Sequence, residues 1–279
     1  MPELPEVETV RRGLEPEMVG RAITKVVVRR PDLRFRFPEN FAQRITGHTV
    51  KAVSRRSKYI WIHLSSGETL IVHLGMSGQV NIDHDGTREI GKHNHVSFCL
   101  SNGSQIHYTD PRRFGLMDLT ATPELSTHKL FVKLGPEPLG NAWSADHLYA
   151  AIKSRRSPLK AALLDQTVVC GLGNIYVCEA LFNAKIHPRM PATEITRHQC
   201  TVLVTQIRSI LQKAIESGGS TLRDYVRSDG GLGYFQHQFA VYGRVGQACV
   251  MPSCAGTVQR TVQSNRSTFF CPTCQIRDT

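Results

Sequence analysis

Four cysteines near the C-terminus constrain what this chain can fold into more than any other feature of the sequence. They form two close pairs, one with four intervening residues and one with two: Cys249 and Cys254, then Cys271 and Cys274. The stretch between the pairs, TVQRTVQSNRSTFF, predicts a β-hairpin that turns at Ser264-Asn265-Arg266. Four thiolates in this arrangement match a closed tetrahedral zinc site. We therefore predict one structural zinc ion in a tail too short to form its own core; two disulfides or free thiols are the alternatives.

The other four cysteines are scattered through apolar stretches, at Cys99, Cys170, Cys178 and Cys200. The N-terminus lacks the basic and apolar regions of a signal peptide. No stretch approaches the ~18 consecutive apolar residues that a transmembrane helix needs. Without a secretory signal, this cysteine distribution is typical of a reducing compartment. We expect a cytoplasmic protein with no membrane partner.

The chain is strongly basic. Lys and Arg exceed Asp and Glu by 34 − 23 = 11 in the 279 residues, and the isoelectric point is about 9.5. An excess of this size favours a polyanionic partner, most simply nucleic acid. A globular protein that happens to be basic is the alternative, because charge alone does not identify a partner.

The periodicity of apolar residues predicts strands in the first half of the chain. From about residue 20 to about residue 120, short β-branched stretches alternate with turn residues. KYIWIHL and TLIVHLG flank SSGE, and HVSFCL and QIHYTD flank SNGS, so two hairpins are expected. Several such strands within about 100 residues indicate a sandwich or a barrel.

The pattern changes at LGPEPLG, residues 134–140, which is the best candidate for a domain boundary. Helical stretches follow it: SADHLYAAIK with a serine cap, NIYVCEALFNAK, and VLVTQIRSILQKAIESGG. The cysteine-rich composition begins at Gly246. We therefore predict an α+β multidomain chain with domains at 1–135, 136–245 and 246–279.

The chain opens with MPELPEVETV, which predicts a helix from Pro5 to Leu14 that stops near Gly13. Removal of Met1 would expose Pro2 as a secondary amine, and terminal amines have pKa values near ~7.7–8. Such an amine attacks electrophilic carbon and forms an iminium, while the neighbouring Glu3 can move protons. The alternative is that Pro2 only permits removal of Met1.

Several short motifs place basic residues beside aromatic residues or glycines: SRRSKY, HLGMSG, KHNHV, YTDPRRFG and GLGN. Taken singly, each also fits an ordinary charged edge, a core methionine or a turn. A metal site at His93 and His95 is not expected because no third ligand lies near them in the sequence.

Together these stretches, with LGPEPL, GGSTLRDYV, GYFQ, VYGR and RSTFFCPTCQ, resemble the bacterial formamidopyrimidine-DNA glycosylase family along the whole chain. The LPEVETV opening favours the branch that acts on oxidised purines over the endonuclease VIII branch. The resemblance implies a β-sandwich domain with a leading helix, a helical domain with a helix–two-turn–helix element around residues 171–174, and a β-hairpin zinc finger, with DNA in a cleft between domains.

The same resemblance implies a bifunctional enzyme. It would excise 8-oxoguanine and formamidopyrimidines from duplex DNA and then cleave the abasic site by β- and δ-elimination. Pro2 matches the nucleophile, and Glu3 matches the general acid that acts on the sugar ring. Lys58 matches a lysine assigned to proton transfer and phosphate contact, and Arg266 an arginine assigned to phosphate binding and δ-elimination.

Further positions match residues that contact DNA in this family. Met76, Arg112 and Phe114 match the trio that fills the gap left by the flipped base, with Arg112 bonded to the orphaned cytosine. Phosphate or other DNA contacts are implied for His93, Arg155, Lys160 and Asn174. The loop from Ser217 to Phe235 matches one that covers the everted base. No cofactor other than zinc is implied, and a monomer is expected.

The sequence departs from the family pattern at three places. The first cysteine pair has four intervening residues where many relatives have two, Asn94 stands where relatives often have Asp, and Asn265 stands in the finger turn where Gly is common. Asn tolerates left-handed backbone, so the turn should form. The remaining alternatives are an endonuclease VIII-like enzyme for oxidised pyrimidines and a non-catalytic zinc-finger DNA-binding protein.

Overall fold

A computed structural model describes residues 2–220 and 234–276 of the chain. The chain divides into two compact units. The first comprises Met1–Val132 and Ile215–Gln236, and the second comprises Lys133–Ala214 and His237–Thr279. Among the described helices, none is both long enough and apolar enough to cross a membrane.

The first unit begins with helix α1, Leu4–Met18. Its buried face, at Val7, Val10, Leu14 and Met18, repeats every three or four residues, as packing against a sheet requires. The predicted stop near Gly13 is wrong, because this apolar face continues for another turn beyond Leu14. The helix ends where Gly20 takes a left-handed conformation with φ +80°.

Eight strands follow, with one short helix, α2 (Phe41–Ile45), after the first of them. The strands are β1 (Ile23–Val28), β2 (Val50–Arg56), β3 (Tyr59–Leu64), β4 (Glu68–His73), β5 (Gln79–Asp83), β6 (Asn94–Leu100), β7 (Gln105–Thr109) and β8 (Leu116–Ala121). They form two four-stranded antiparallel sheets, in the orders β1-β6-β7-β5 and β2-β3-β4-β8. The two predicted hairpins are β3–β4 and β6–β7, and both are confirmed.

One apolar core serves α1 and both sheets. It joins the buried face of α1 to inward residues of each sheet, for example Ile60 and Leu70 on one and Phe98 and Ile106 on the other. Alternation of buried and half-buried positions along β3 places one face of the strand in this core. The predicted β-sandwich class is therefore confirmed.

The second unit is helical before its finger. It contains α3 (Ala145–Ile152), α4 (Leu159–Leu164), α5 (Asn174–Asn183) and the greater part of α6 (Arg197–Glu216). Ser144 caps α3 as predicted, since its hydroxyl oxygen accepts from the His147 N–H at 3.2 Å. At α5 the N-cap residue is Gly173, and the side-chain amide of Asn174, the first residue of the helix, makes a different contact.

The finger hairpin consists of β9 (Gln259–Gln263) and β10 (Arg266–Phe270). Ser264 and Asn265 form the turn with φ values of +48° and +59°. Positive φ at both central residues is the geometry that suits the twist of a two-residue hairpin. Arg266 is therefore the first residue of β10 and not part of the turn.

Candidate active site

The start of α1 is held in place by a carboxylate one turn along the helix. Pro2 and Glu3 are both buried, and the Glu3 backbone N–H donates to Glu6 Oε2 at 2.8 Å. Glu6 Oε1 accepts from both the backbone N–H and the hydroxyl of Ser220 at 2.9 Å. Glu6 therefore fixes the residue next to Pro2 and the beginning of the predicted base-covering loop at the same time. Residues 221–233 of that loop lie outside the described residues.

Lys58 follows a strained turn that is tied to the same helix. Arg55 donates to Glu8 Oε2 on α1 at 3.2 Å and to the Ser57 carbonyl at 2.7 Å. Ser57 has a φ of +55°, and Lys58 is only 9 % exposed. Burial acts to raise the pKa of Glu8, but the hydrogen bonds and charges of Arg11, Arg12 and Arg55 lower it overall, so this carboxylate stays ionised.

His73, at the end of β4, is a polar side chain that sequence reasoning missed. Burial, and then the positive charges of Lys58 and Arg34, lower its pKa to about 4, so the ring is neutral at pH 7. Its Nδ1 accepts from the Gly75 N–H at 3.0 Å, which leaves the proton on Nε2 as a donor. The signal in the sequence is the histidine that opens HLGMSG, at the end of a predicted strand.

The structure brings the predicted gap-filling trio onto two neighbouring loops, 74–78 and 110–115. Phe114 is 44 % exposed, Arg112 is exposed, and Met76 is half-buried. The Arg112 guanidinium carbon lies 5.0 Å from the centre of the Phe114 ring. The Arg112 backbone N–H donates to Ser77 Oγ at 3.1 Å, so the two loops are joined directly.

His93 lies beside these loops, half-buried, and its carbonyl accepts from the Asp110 N–H at 3.0 Å. The next residue, Asn94, is buried, and its Oδ1 accepts from Arg29 at 3.2 Å and from Ser97 at 3.3 Å. A neutral amide oxygen accepts both bonds. The replacement of the common Asp by Asn therefore leaves this part of the site hydrogen-bonded.

In the second unit, the side chains of Lys160 and Asn174, two predicted DNA contacts, both reach the finger hairpin. Lys160 is 1 % exposed, and its ammonium donates to the Ser267 carbonyl at 3.0 Å and to Thr268 Oγ1 at 2.7 Å. The Asn174 amide donates to the same Ser267 carbonyl at 2.8 Å. Both side chains thus hold β10 one or two residues after Arg266.

Arg155 is the third predicted DNA contact of this unit. It forms an ion pair with Asp165 at 2.5 Å, and both side chains are about one-third exposed. Burial acts to raise the pKa of Asp165, but the bonds from Arg155 and Thr167 lower it overall. A phosphate contact by Arg155 stays a prediction, and the guanidinium would make it while bonded to Asp165.

The four cysteines of the tail converge as the spacing predicts. Their Sγ atoms lie within 4.8 Å of one another, with Cys249 to Cys274 at 3.7 Å and Cys254 to Cys271 at 3.8 Å. Zinc–sulfur bonds of ~2.3 Å in a tetrahedron place sulfur atoms roughly 3.8 Å apart, so the cluster has the size for this ion. A disulfide would need about 2.05 Å, so the two-disulfide alternative is wrong.

The longer spacing between Cys249 and Cys254, the first cysteine pair, is accommodated by a local turn. Ser253 takes a left-handed conformation with φ +62°, the Cys254 N–H donates to the Met251 carbonyl at 3.2 Å, and the Cys249 N–H donates to the Gly256 carbonyl at 2.9 Å. The two additional residues therefore form a turn between the ligands, and Cys249 still reaches the cluster.

Comparison with known proteins gives three matches in chain order. Residues 1–117 match the formamidopyrimidine-DNA glycosylase N-terminal domain, and residues 134–226 match the formamidopyrimidine-DNA glycosylase H2TH domain. Residues 252–276 match the zinc finger found in FPG and IleRS. This last match begins after Cys249, so the geometry of the cluster, rather than the match, assigns the first ligand.

Relatives and solved structures cover the whole chain. The formamidopyrimidine-DNA glycosylases of Ruegeria pomeroyi and Roseobacter denitrificans are each 54 % identical over 99 % of this chain and all of their own length. A Lactococcus lactis Fpg variant in complex with Fapy-dG-containing DNA has a TM-score of 0.91 at 35 % identity, over 99 % of this chain and 100 % of its own. The MutM (Fpg) protein of Thermus thermophilus has a TM-score of 0.87 at 38 % identity, with full coverage of both chains.

A β-sandwich with a leading helix, a helical unit and a four-thiolate hairpin finger define a base-excision repair glycosylase with a structural zinc site. The chain belongs to the formamidopyrimidine-DNA glycosylase family.

Proposed function

We propose that this enzyme excises oxidised purines from duplex DNA through a Schiff base at Pro2 and then cleaves the abasic strand. The observation that carries the proposal is the hydrogen-bonded start of α1, where Glu6 holds the residue beside Pro2 and the start of the 217–235 loop together. Relatives crystallised with Fapy-dG-containing DNA and with abasic-site DNA support the substrate class.

The chemistry requires removal of Met1, which turns Pro2 into a secondary amine. Its nitrogen forms a bond to C1′ of the damaged nucleotide while the bond from C1′ to the base breaks. Glu3 protonates the sugar ring oxygen as the ring opens, and the product is an iminium between C1′ and the proline nitrogen. The base takes up a proton and leaves.

Strand cleavage follows from the iminium, because that cation acidifies the neighbouring C2′. Loss of a C2′ proton expels the 3′ phosphate, and loss of a C4′ proton then expels the 5′ phosphate. Lys58 is assigned to proton transfer and phosphate contact, and Arg266 to phosphate binding in the second elimination. Water finally hydrolyses the iminium and releases the enzyme.

The base must leave the helix before any of this chemistry, and unstacking costs a few kcal/mol. Met76 and Phe114 are assigned to fill the space it leaves, and Arg112 to bond the orphaned cytosine. Phosphate contacts by His93, Arg155 and Asn174 would fix register without reading sequence. For Lys160, the burial described above favours a contribution through the finger over direct DNA contact.

The wider assignments follow the same proposal. We propose duplex DNA as the partner, a monomeric enzyme, and a cytoplasmic, nucleoid-associated location. The chain would be organised as a catalytic domain over 1–135, a helix–two-turn–helix domain over 136–245 and a zinc finger over 246–279. The net charge of +11 suits a polyanionic partner.

Single-turnover assays on matched duplexes test the function. Duplexes with 8-oxoguanine or thymine glycol at the same position are compared, with Glu3→Gln as the catalytic control. We expect excision and strand cleavage of the 8-oxoguanine duplex and little of either with Glu3→Gln. A preference for thymine glycol would indicate the endonuclease VIII alternative, and DNA binding without excision would indicate a non-catalytic protein.

A further inference from the structure

We infer that Asp110 is the positioning residue that holds the gap-filling loops, 74–78 and 110–115, in the geometry needed for lesions in paired DNA. The inference rests on the proposed function and deepens it. Asp110 belongs to neither the proposed chemistry nor the proposed base contacts. Asp110 is fully buried, with 0 % exposure, at the start of the loop that includes Arg112 and Phe114.

The two carboxylate oxygens bond to different loops. Oδ1 accepts from the Ser77 hydroxyl at 2.6 Å, and Oδ2 accepts from the Gly115 N–H at 2.8 Å. The Tyr108 hydroxyl lies 3.4 Å from Oδ2. Thus one carboxylate links the residue after Met76 to the residue after Phe114.

The backbone of Asp110 extends the same network. Its N–H donates to the His93 carbonyl at 3.0 Å, and its carbonyl lies 2.8 Å from His95 Nε2 and accepts from the Arg113 N–H at 3.2 Å. Three chain segments that carry predicted DNA contacts therefore bond to this one residue.

Ser77 passes the effect of Asp110 on to Arg112. The single hydroxyl proton of Ser77 points to the carboxylate, so its lone pairs face the Arg112 N–H, which donates at 3.1 Å. The hydroxyl proton is the one that this carboxylate oxygen accepts, which fixes the direction of the bond. The backbone of Arg112 is thereby set before any DNA is bound.

Close packing leaves the two loops little freedom to adopt another arrangement. A Cβ on Gly75 would overlap the Phe114 and Gly115 backbone, and a Cβ on Gly115 would overlap the Tyr108 hydroxyl. Gly75 also has φ +61°. The loops therefore meet backbone to backbone, and the hydrogen bonds of Asp110 determine their register.

The variant Asp110→Asn keeps the shape of the side chain but replaces one of the two accepting oxygens with an NH₂ donor. If its oxygen faces Gly115, its NH₂ meets Ser77 Oγ, and the serine proton loses its acceptor. If the oxygen faces Ser77, the NH₂ opposes the Gly115 N–H, so two donors face each other. In the first orientation the bond to Ser77 is reversed and no longer fixes the direction of the hydroxyl; in the second the bond to the Gly115 N–H is lost.

The test compares duplex and single-stranded substrates. Loss of a buried charge-assisted bond is expected to lower 8-oxoguanine:cytosine excision about tenfold or more. The preference for lesions opposite cytosine over adenine should narrow, as it should in Arg112→Ala, which lacks the side chain assigned to the orphaned cytosine. Cleavage of a single-stranded abasic oligonucleotide has no orphaned base to hold, so it should stay within about twofold of wild type.

Matched variants separate positioning from folding. Asp83→Asn alters another largely buried carboxylate of the first unit, bonded to the Arg88 N–H at 2.9 Å, and should leave the opposite-base preference unchanged. Ser77→Ala removes the bonds of Ser77 to Asp110 and to the Arg112 N–H, leaves the bond of Asp110 to Gly115, and should reproduce the narrowed preference if Asp110→Asn proves too unstable to purify. Melting temperatures are measured for all variants.

Two results would overturn the inference. If Asp110→Asn and Ser77→Ala both keep the wild-type rate of duplex excision and the wild-type opposite-base preference, the network does not position Arg112. Parallel loss of duplex and single-strand cleavage, together with a lower melting temperature, would make Asp110 a residue of general stability. Failure of the proposed function itself would appear differently, as absence of cleavage by the wild-type enzyme on both substrates.

Discussion

His73 is neutral at physiological pH because burial lowers its pKa by more than the negative charge of the nearby Asp110 raises it. Its pKa is about 4 in the folded state and about 6.5 in the unfolded chain. The unfolded state therefore binds more protons between these values, and stability falls as pH drops from about 6.5 to about 4. Above about pH 6.5 the ring is neutral in both states, so His73 causes no loss of stability there.

We predict that His73→Gln reduces this acid sensitivity. Removing the titrating ring should take away up to roughly 3 kcal/mol of the stability loss between pH 7 and pH 4. Urea unfolding at both pH values measures it, with His198→Gln on the exposed surface as the control. An unchanged difference between the two pH values would mean that His73 takes up its proton readily in the folded protein.

At the scale of elements, the finger hairpin is attached to two helices through one carbonyl. Lys160 on α4 and Asn174 on α5 both donate to Ser267, and Lys160 also reaches Thr268. A buried ammonium with these bonds stabilises β10 immediately after Arg266. The orientation of Arg266 thus depends on a residue about a hundred positions away in the sequence.

We predict that Lys160→Met changes the products of strand cleavage more than base excision. Loss of bonds to a charged donor should destabilise the hairpin by roughly 2 kcal/mol. The ratio of δ- to β-elimination product should fall, because Arg266 is less well placed. Lys133→Met, at an exposed position, is the control. A normal product ratio with uniformly weaker DNA binding would instead assign Lys160 to phosphate contact.

Local patterns in the sequence predicted the elements well, and they predicted the contacts between distant residues poorly. The hairpins β3–β4 and β6–β7 and the capped helix α3 follow from alternation, turn residues and a serine cap, all within a few positions. The bond from Glu6 to Ser220 joins residues 214 positions apart. No periodicity encodes such a contact, and the burial of Lys160 likewise depends on where the hairpin packs.

At the scale of the whole molecule, zinc takes the place of a core in the tail. The cluster has the sulfur spacing of a tetrahedral site, and structural zinc in finger peptides contributes apparent binding free energies of ~10–16 kcal/mol. We predict about one zinc per chain. Its removal by a chelator should unfold the hairpin and abolish DNA binding together, because Arg266 lies on β10.

A cysteine variant tests the effect of losing zinc without the use of a chelator. Cys249→Ser should lose zinc and DNA binding, although this ligand lies outside the finger match. Cys99→Ser, a half-buried cysteine of β6 outside the cluster, should lose neither. Metal analysis and DNA binding by fluorescence anisotropy measure both. Normal binding by a zinc-free sample would contradict an essential finger.

Borohydride trapping during reaction with an 8-oxoguanine:cytosine duplex, followed by peptide mapping, tests the Schiff base at Pro2 most directly. Reduction of the iminium should leave the DNA covalently attached to the N-terminal peptide at Pro2, and protein that retains Met1 should not be trapped. A cross-link at Lys58 would move the nucleophile to that lysine. Efficient base release with no cross-link would contradict the Schiff-base mechanism and indicate a hydrolytic glycosylase.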